Sequence, residues 1–160
     1  MKKIVRIMTL ALVLLMLAGC AGGTETFTCR DLTMTVPAGM QDVSGQSGFT
    51  THTFTLDSKE MAIFGLQERY DEYESLKDHT LASYTQLVVG GNGLDCVPAA
   101  RQGENYFYFT YTYQVEGAEY KYLTATYQSS QGFWMVQISA PADRYDEAAY
   151  FEYLDSVEFH

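Results

Sequence analysis

The stretch NYFYFTYTYQVEGAEYKYLTATYQSSQGFWMVQISA, residues 105–140, holds three runs whose side chains alternate with a period of two. Such alternation sends successive side chains to opposite faces of an extended chain. Asn105 to Glu116, Ala118 to Gln128 and Phe133 to Ala140 therefore read as strands, with turns at Glu116-Gly117 and at Ser129-Ser130-Gln131-Gly132. In the first of them, Phe107, Phe109, Tyr111 and Tyr113 fall on one face and Tyr106, Tyr108, Thr110 and Thr112 on the other.

Working outward toward the N-terminus, Thr28 to Val36, Phe49 to Leu56 and Met61 to Gln67 alternate in the same way and read as a meander. The period then changes. Leu76, Thr80, Tyr84, Leu87 and Val88 recur at steps of three and four, acids gather at the start, and Gly90-Gly91-Asn92-Gly93 stops the run, which predicts a helix over 73–89. Toward the C-terminus, Asp143 is a candidate N-cap, Ala148, Phe151 and Leu154 keep helical spacing, and Ser156 to Phe159 is extended again. The order is βββ-α-βββ-α. It predicts an α+β domain: an antiparallel sheet of about six strands with two main helices packed on it.

The N-terminus has a different logic. Lys2, Lys3 and Arg6 precede an apolar run from Ile7 to Leu17 and then small residues, the order of a secretory signal. That run is too short to cross a hydrocarbon core, which takes roughly 20 apolar residues. Leu17-Ala18-Gly19-Cys20 resembles the lipobox of bacterial lipoproteins. The resemblance implies cleavage before Cys20, diacylglycerylation of its thiol and a second acyl chain, enough lipid for stable anchoring. The expected organisation is a signal peptide over 1–19, a lipidated Cys20 with a short tether over 20–26, and one globular domain over 27–160. The place is the outer side of a cell membrane.

Signal removal takes three of the ten basic residues and none of the twenty acids, so +7 against −20 leaves −13. Such a surface repels nucleic acid, which excludes it as a partner, and keeps the domain off anionic lipid.

Several segments also resemble the PsbP-like and DcrB-like group of small exported proteins. They are Leu32-Thr33-Met34-Thr35-Val36-Pro37-Ala38-Gly39-Met40, the long middle helix, Gly132-Phe133-Trp134-Met135-Val136, and the close from Phe151 to Phe159. This resemblance implies an architecture and a non-enzymatic accessory role. It carries no set of site residues, and fold alone does not deliver function.

With Cys20 lipidated, Cys29 and Cys96 remain. A bridge between them would close 66 intervening residues, worth about 4 kcal/mol on a chain-entropy model; two buried free thiols are the alternative. His52, His79 and His160 form no spaced metal pair. Ser47 lacks the setting of a nucleophile elbow. Gly90 to Val97 matches a single copy of a calcium nonapeptide start, which binds only when stacked copies share ligands. The acids Glu68, Asp71, Glu72, Glu74 and Asp78 read as a solvated helix start rather than a calcium site. The sequence therefore implies no metal and no cofactor.

Tyrosine is the unusual component, thirteen in all. If the phenylalanines of 105–116 face the helices, Tyr106, Tyr108 and, on the next strand, Tyr122 are left as a candidate binding face, together with Thr33, Thr35, Thr51, Thr53, Thr55, Thr124 and Thr126. Tyrosine offers large contact area with a polar tip and is enriched at interfaces. The expected function is a non-catalytic envelope lipoprotein that binds a protein or glycan partner through this aromatic sheet face. The alternative is an envelope hydrolase using two carboxylates that spacing alone does not pair.

Overall fold

Leu32-Thr33-Met34-Thr35-Val36-Pro37 buries every second residue, with Leu32, Met34 and Val36 at 1% exposure or less. The computed structural model, which describes residues 22–46, 48 and 51–160, makes this segment the centre of a small three-stranded sheet. Strand β1, Thr24–Cys29, pairs antiparallel with β2, Leu32–Pro37. Thr33 and Leu32 also take the two-residue C-terminal strand Glu158–Phe159.

The larger sheet has seven antiparallel strands. They are β3 (Gln41–Asp42), β4 (Phe54–Asp57), β5 (Ala62–Arg69), β6 (Ala99–Ala100), β7 (Phe107–Val115), β8 (Ala118–Gln128) and β9 (Gly132–Pro141), in the order β3-β4-β5-β9-β8-β7-β6. Helix α1 spans Leu81–Gly91 and α2 spans Glu147–Asp155; Glu158–Phe159 is β10.

Register decides which side chains share a face, because residues directly opposite across antiparallel strands point the same way. Tyr108, Ala125, Val136, Gly65 and Phe54 are aligned in one such row. This face meets β2 and α2, and Phe54, Leu123, Trp134, Val136 and Ile138 form the main core with Leu32, Met34, Phe151 and Leu154. Gly65 is the seat of Phe54: a Cβ there would stand 2.2 Å from the ring. The opposite face carries Phe109, Tyr111, Thr124, Thr126, Met135, Gln137, Phe64 and Leu66, and α1 packs on part of it. Tyr84 of α1 stacks on Phe133 at 4.2 Å, and Thr85 lies 2.6 Å from Thr126.

Asp31 pins the two sheets together. It sits in the turn between β1 and β2, only 4% exposed, and its Oδ1 accepts from Gln67 Nε2 of β5 at 2.8 Å and from Trp134 Nε1 of β9 at 3.0 Å.

The α+β class, the large antiparallel sheet and the two main helices match the sequence expectation. The count of about six strands does not: the described residues form ten, in two sheets. The run from Thr28 to Val36 is not one strand but parts of two, because Arg30 takes a left-handed φ of 55° and turns the chain. The first described strand begins at Thr24, inside the segment expected as tether, and Gly23 O accepts from Ala38 N. The helix expected over 73–89 splits into a 3-10 turn at Glu74–Asp78 and α1, which is capped by Thr80 accepting from Ser83 N. Asp146, not Asp143, caps α2 by accepting from Ala149 N at 3.2 Å. The helices occupy opposite faces of the seven-stranded sheet, so no face is left wholly without a helix. Cys20 and the signal segment lie outside the described residues, and so does Ser47.

Candidate binding face

Tyr106, Tyr108 and Tyr122 do not share a face. Tyr106 is 3% exposed, tilts against Tyr127 at 4.9 Å in the main core, and donates its hydroxyl hydrogen to Asp155 of α2. Burial, and then that carboxylate, push its pKa well above the ordinary value. Tyr108 meets Phe151 of α2 edge-on at 4.9 Å. Both belong to the packing of α2, which is a correction to the expected outward face. Thr124 and Thr126, at 0% exposure, are likewise covered, in their case on the α1 side.

Tyr122 sits on the other face, where it stacks on Tyr111 with ring centroids 4.7 Å apart and planes 3° from parallel. The pairing follows from the Glu116-Gly117 turn, which sets Tyr111 opposite Tyr122 and Tyr113 opposite Tyr120. These four tyrosines form a cluster along β7 and β8, with Tyr111 nearest to α1. Tyr113 is 66% exposed and the other three are half-buried. Tyr111 donates its hydroxyl to Gln137 Oε1 at 2.9 Å, and burial pushes its pKa up to about 12, so it remains a neutral donor across the physiological range.

Beside the cluster, α1 and β5 enclose a groove of about 440 Å³, within the range of small-ligand clefts. Its floor is Phe64, Leu66 and Met135, and Leu87, half exposed on α1, overhangs it. A smaller concavity lined by Phe64, Val88, Met135, Gln137 and Tyr111 continues the groove toward the tyrosines. The polar groups are few. His52 stacks on Phe64 at 4.2 Å and 7°, with Nδ1 3.0 Å from Thr55 Oγ1, and burial lowers its pKa, which favours the neutral ring. Glu68 accepts from the Tyr84 hydroxyl at 2.7 Å; burial, and then Glu68, hold that phenol protonated.

No family model matches the chain, and no curated protein does. Among solved structures it is similar to a protein from Bacteroides thetaiotaomicron VPI-5482, solved at 1.50 Å, with a TM-score of 0.57 and 11% identity. The match covers 88% of this chain and 49% of that one, so this chain spans about half of that protein's length. At this identity the likeness shows the fold alone.

Cys29 and Cys96 are both free. The expected bridge is absent because the two lie on different sides of the large sheet. Cys29 packs against the main core, whereas Cys96, in the loop after α1, is near enough to Tyr111 to influence its titration. Burial raises the pKa of each thiol, the opposite of what activates a nucleophile. Among the described residues no group of three His, Cys, Asp or Glu side chains could hold a metal ion. Asp71 is engaged instead by Arg69, at 2.7 Å. Among the described residues that line the groove, Glu68 is the one carboxylate.

Sequence reasoning missed Tyr111 and the groove. The signal for Tyr111 was present: counting back from Glu116-Gly117 gives the Tyr111–Tyr122 pair directly. The groove had no such signal, because its walls come from distant segments.

Proposed function

We propose that the chain is a cell-envelope lipoprotein, held on the outer side of a membrane by lipid on Cys20, whose domain binds a protein or glycan partner without catalysing a reaction. The domain is read as PsbP-like or DcrB-like in architecture. The supporting observation is the cluster Tyr111, Tyr113, Tyr120 and Tyr122, which continues into an apolar groove. Stacked phenol rings with hydroxyl tips offer flat apolar area together with hydrogen-bonding edges, as recognition surfaces do. With β1 starting at Thr24, only residues 20–23 separate the lipid from the fold, a reach of about 13 Å. A partner bound there lies close to the membrane surface. A hydrolase finds less support, since among the described residues that line the groove Glu68 is the one acid.

The test is paired. Tyr113→Ala with Tyr122→Ala should weaken binding to isolated wall glycan strands, or recovery of a partner from detergent-solubilised envelopes, by about tenfold or more. Leu87→Lys should weaken it through the groove. Binding of both preparations unchanged in these variants, with circular dichroism intact, overturns the reading.

A further inference from the structure

Strand β7 carries an uncovered edge. Its neighbour β6 pairs only at Ala99–Tyr108 and Ala100–Phe107, and no described strand continues it along β7 past Tyr108. Beyond Tyr108 the edge runs Phe109-Thr110-Tyr111-Thr112-Tyr113-Gln114-Val115 without a charge, a proline or a bulge, the devices that normally blunt an edge strand. The backbone groups that point outward can be assigned. A two-residue hairpin loop closes on a pair that exchanges both backbone hydrogen bonds, and Glu116 and Gly117 have the left-handed φ values, 50° and 84°, of such a turn. Counting back from Val115 and Ala118, residues Tyr113, Tyr111 and Phe109 bond to β8, whereas Gln114, Thr112 and Thr110 direct N–H and C=O away from the sheet. Among the described residues no other backbone bond reaches them. The opposite edge, β3, is two residues long and carries Asp42.

We infer that this edge pairs antiparallel with the same edge of a second copy of the chain. The run is chemically symmetric about Thr112: Tyr111 matches Tyr113, Thr110 matches Gln114, and Phe109 matches Val115. A two-fold axis through Thr112 sets Thr112 against its own mate and Thr110 against Gln114 of the other copy, each pair exchanging two backbone bonds. Tyr111 then faces Tyr113 across the axis in the closer, non-bonded positions, and no like charges meet within the run. Of the five large hydrophobic side chains exposed among the described residues, Tyr113 (66%) and Val115 (38%) are on this strand and Val97 (88%) lies two residues before β6. The two-fold consumes the edge in both copies, so assembly closes at two. The pairing is independent of any ligand in the groove.

The full chain, sedimented in density-matched detergent, should be a concentration-dependent dimer. Thr112→Lys and Thr112→Glu should each weaken association by at least about tenfold through like charges at the axis, and mixing the two variants should restore a dimer. Thr112→Pro, which removes an outward N–H, should also be monomeric; if it fails to fold, the charge pair still decides. A wild-type monomer at every concentration, a dimer that survives all three substitutions, or open-ended oligomers would each overturn the inference.

Discussion

Replacing Asp31 with alanine tests how the two sheets are joined. Its Oδ1 is the shared acceptor for Gln67 Nε2 and Trp134 Nε1, and both donors are buried, Trp134 at 0% and Gln67 at 5% exposure. Orphaning a buried donor costs about 1–3 kcal/mol, so two orphans cost roughly 2–6 kcal/mol. Against this stands the relief of Oδ2, which is buried with no partner among the described residues. A net loss of about 2–4 kcal/mol follows, enough to lower Tm by roughly 10 °C in a domain of this size. Asp31→Asn separates the terms: its carbonyl oxygen can keep both bonds while its amide replaces the unpartnered Oδ2 with another unpartnered group, so it should cost less than the alanine change. Guanidinium unfolding followed by fluorescence of Trp134, the single tryptophan, reads the bond at one of its ends. Equal losses for Ala and Asn, or a loss below about 1 kcal/mol for Ala, would refute the role assigned to the shared acceptor.

Other consequences are quicker to check. The Arg101 guanidinium, 2.7 Å away, and then the Tyr106 hydroxyl hold the Asp155 carboxyl below its usual value of 3.8. Stability from this group is fully present above that value and is lost as pH falls through the lower folded-state value. The gap between wild type and Asp155→Asn should therefore shrink as pH drops below about 4; a gap that is flat with pH would contradict the assignment. Alkylation of unfolded, unreduced protein should label both Cys29 and Cys96, and a mass two hydrogens short would reveal the bridge. Radiolabelled palmitate should mark the wild-type chain and not Cys20→Ala.

Strands β7, β8 and β9 were legible because alternation and the Glu116-Gly117 turn act locally. The stop of α1 at Gly90-Gly91-Asn92-Gly93 was legible for the same reason. Strand β1 was not: its apolar side has only Phe27 and Cys29 beside Glu25, too short an alternation to stand out, and nothing about Arg30 advertises a left-handed turn. Nor did composition reveal which face of β7 is covered. Phenylalanine and tyrosine alternate there, both suit a core, and α2 supplies the Asp155 acceptor that lets Tyr106 be buried. The separation of Cys29 from Cys96 and the groove over Phe64 and Met135 arise from topology, which spacing does not encode.

The central claim is that the tyrosine cluster meets a partner at the envelope. A photo-crosslinking residue placed at Tyr113 or, as a control of similar exposure, at Tyr73 (66% and 53%) can be activated in living cells. At Tyr113 the account predicts a discrete adduct to a species other than the chain itself, beside the chain–chain adduct that edge pairing gives there, and at Tyr73 none. Equal adducts at both positions, or none at Tyr113, would contradict it.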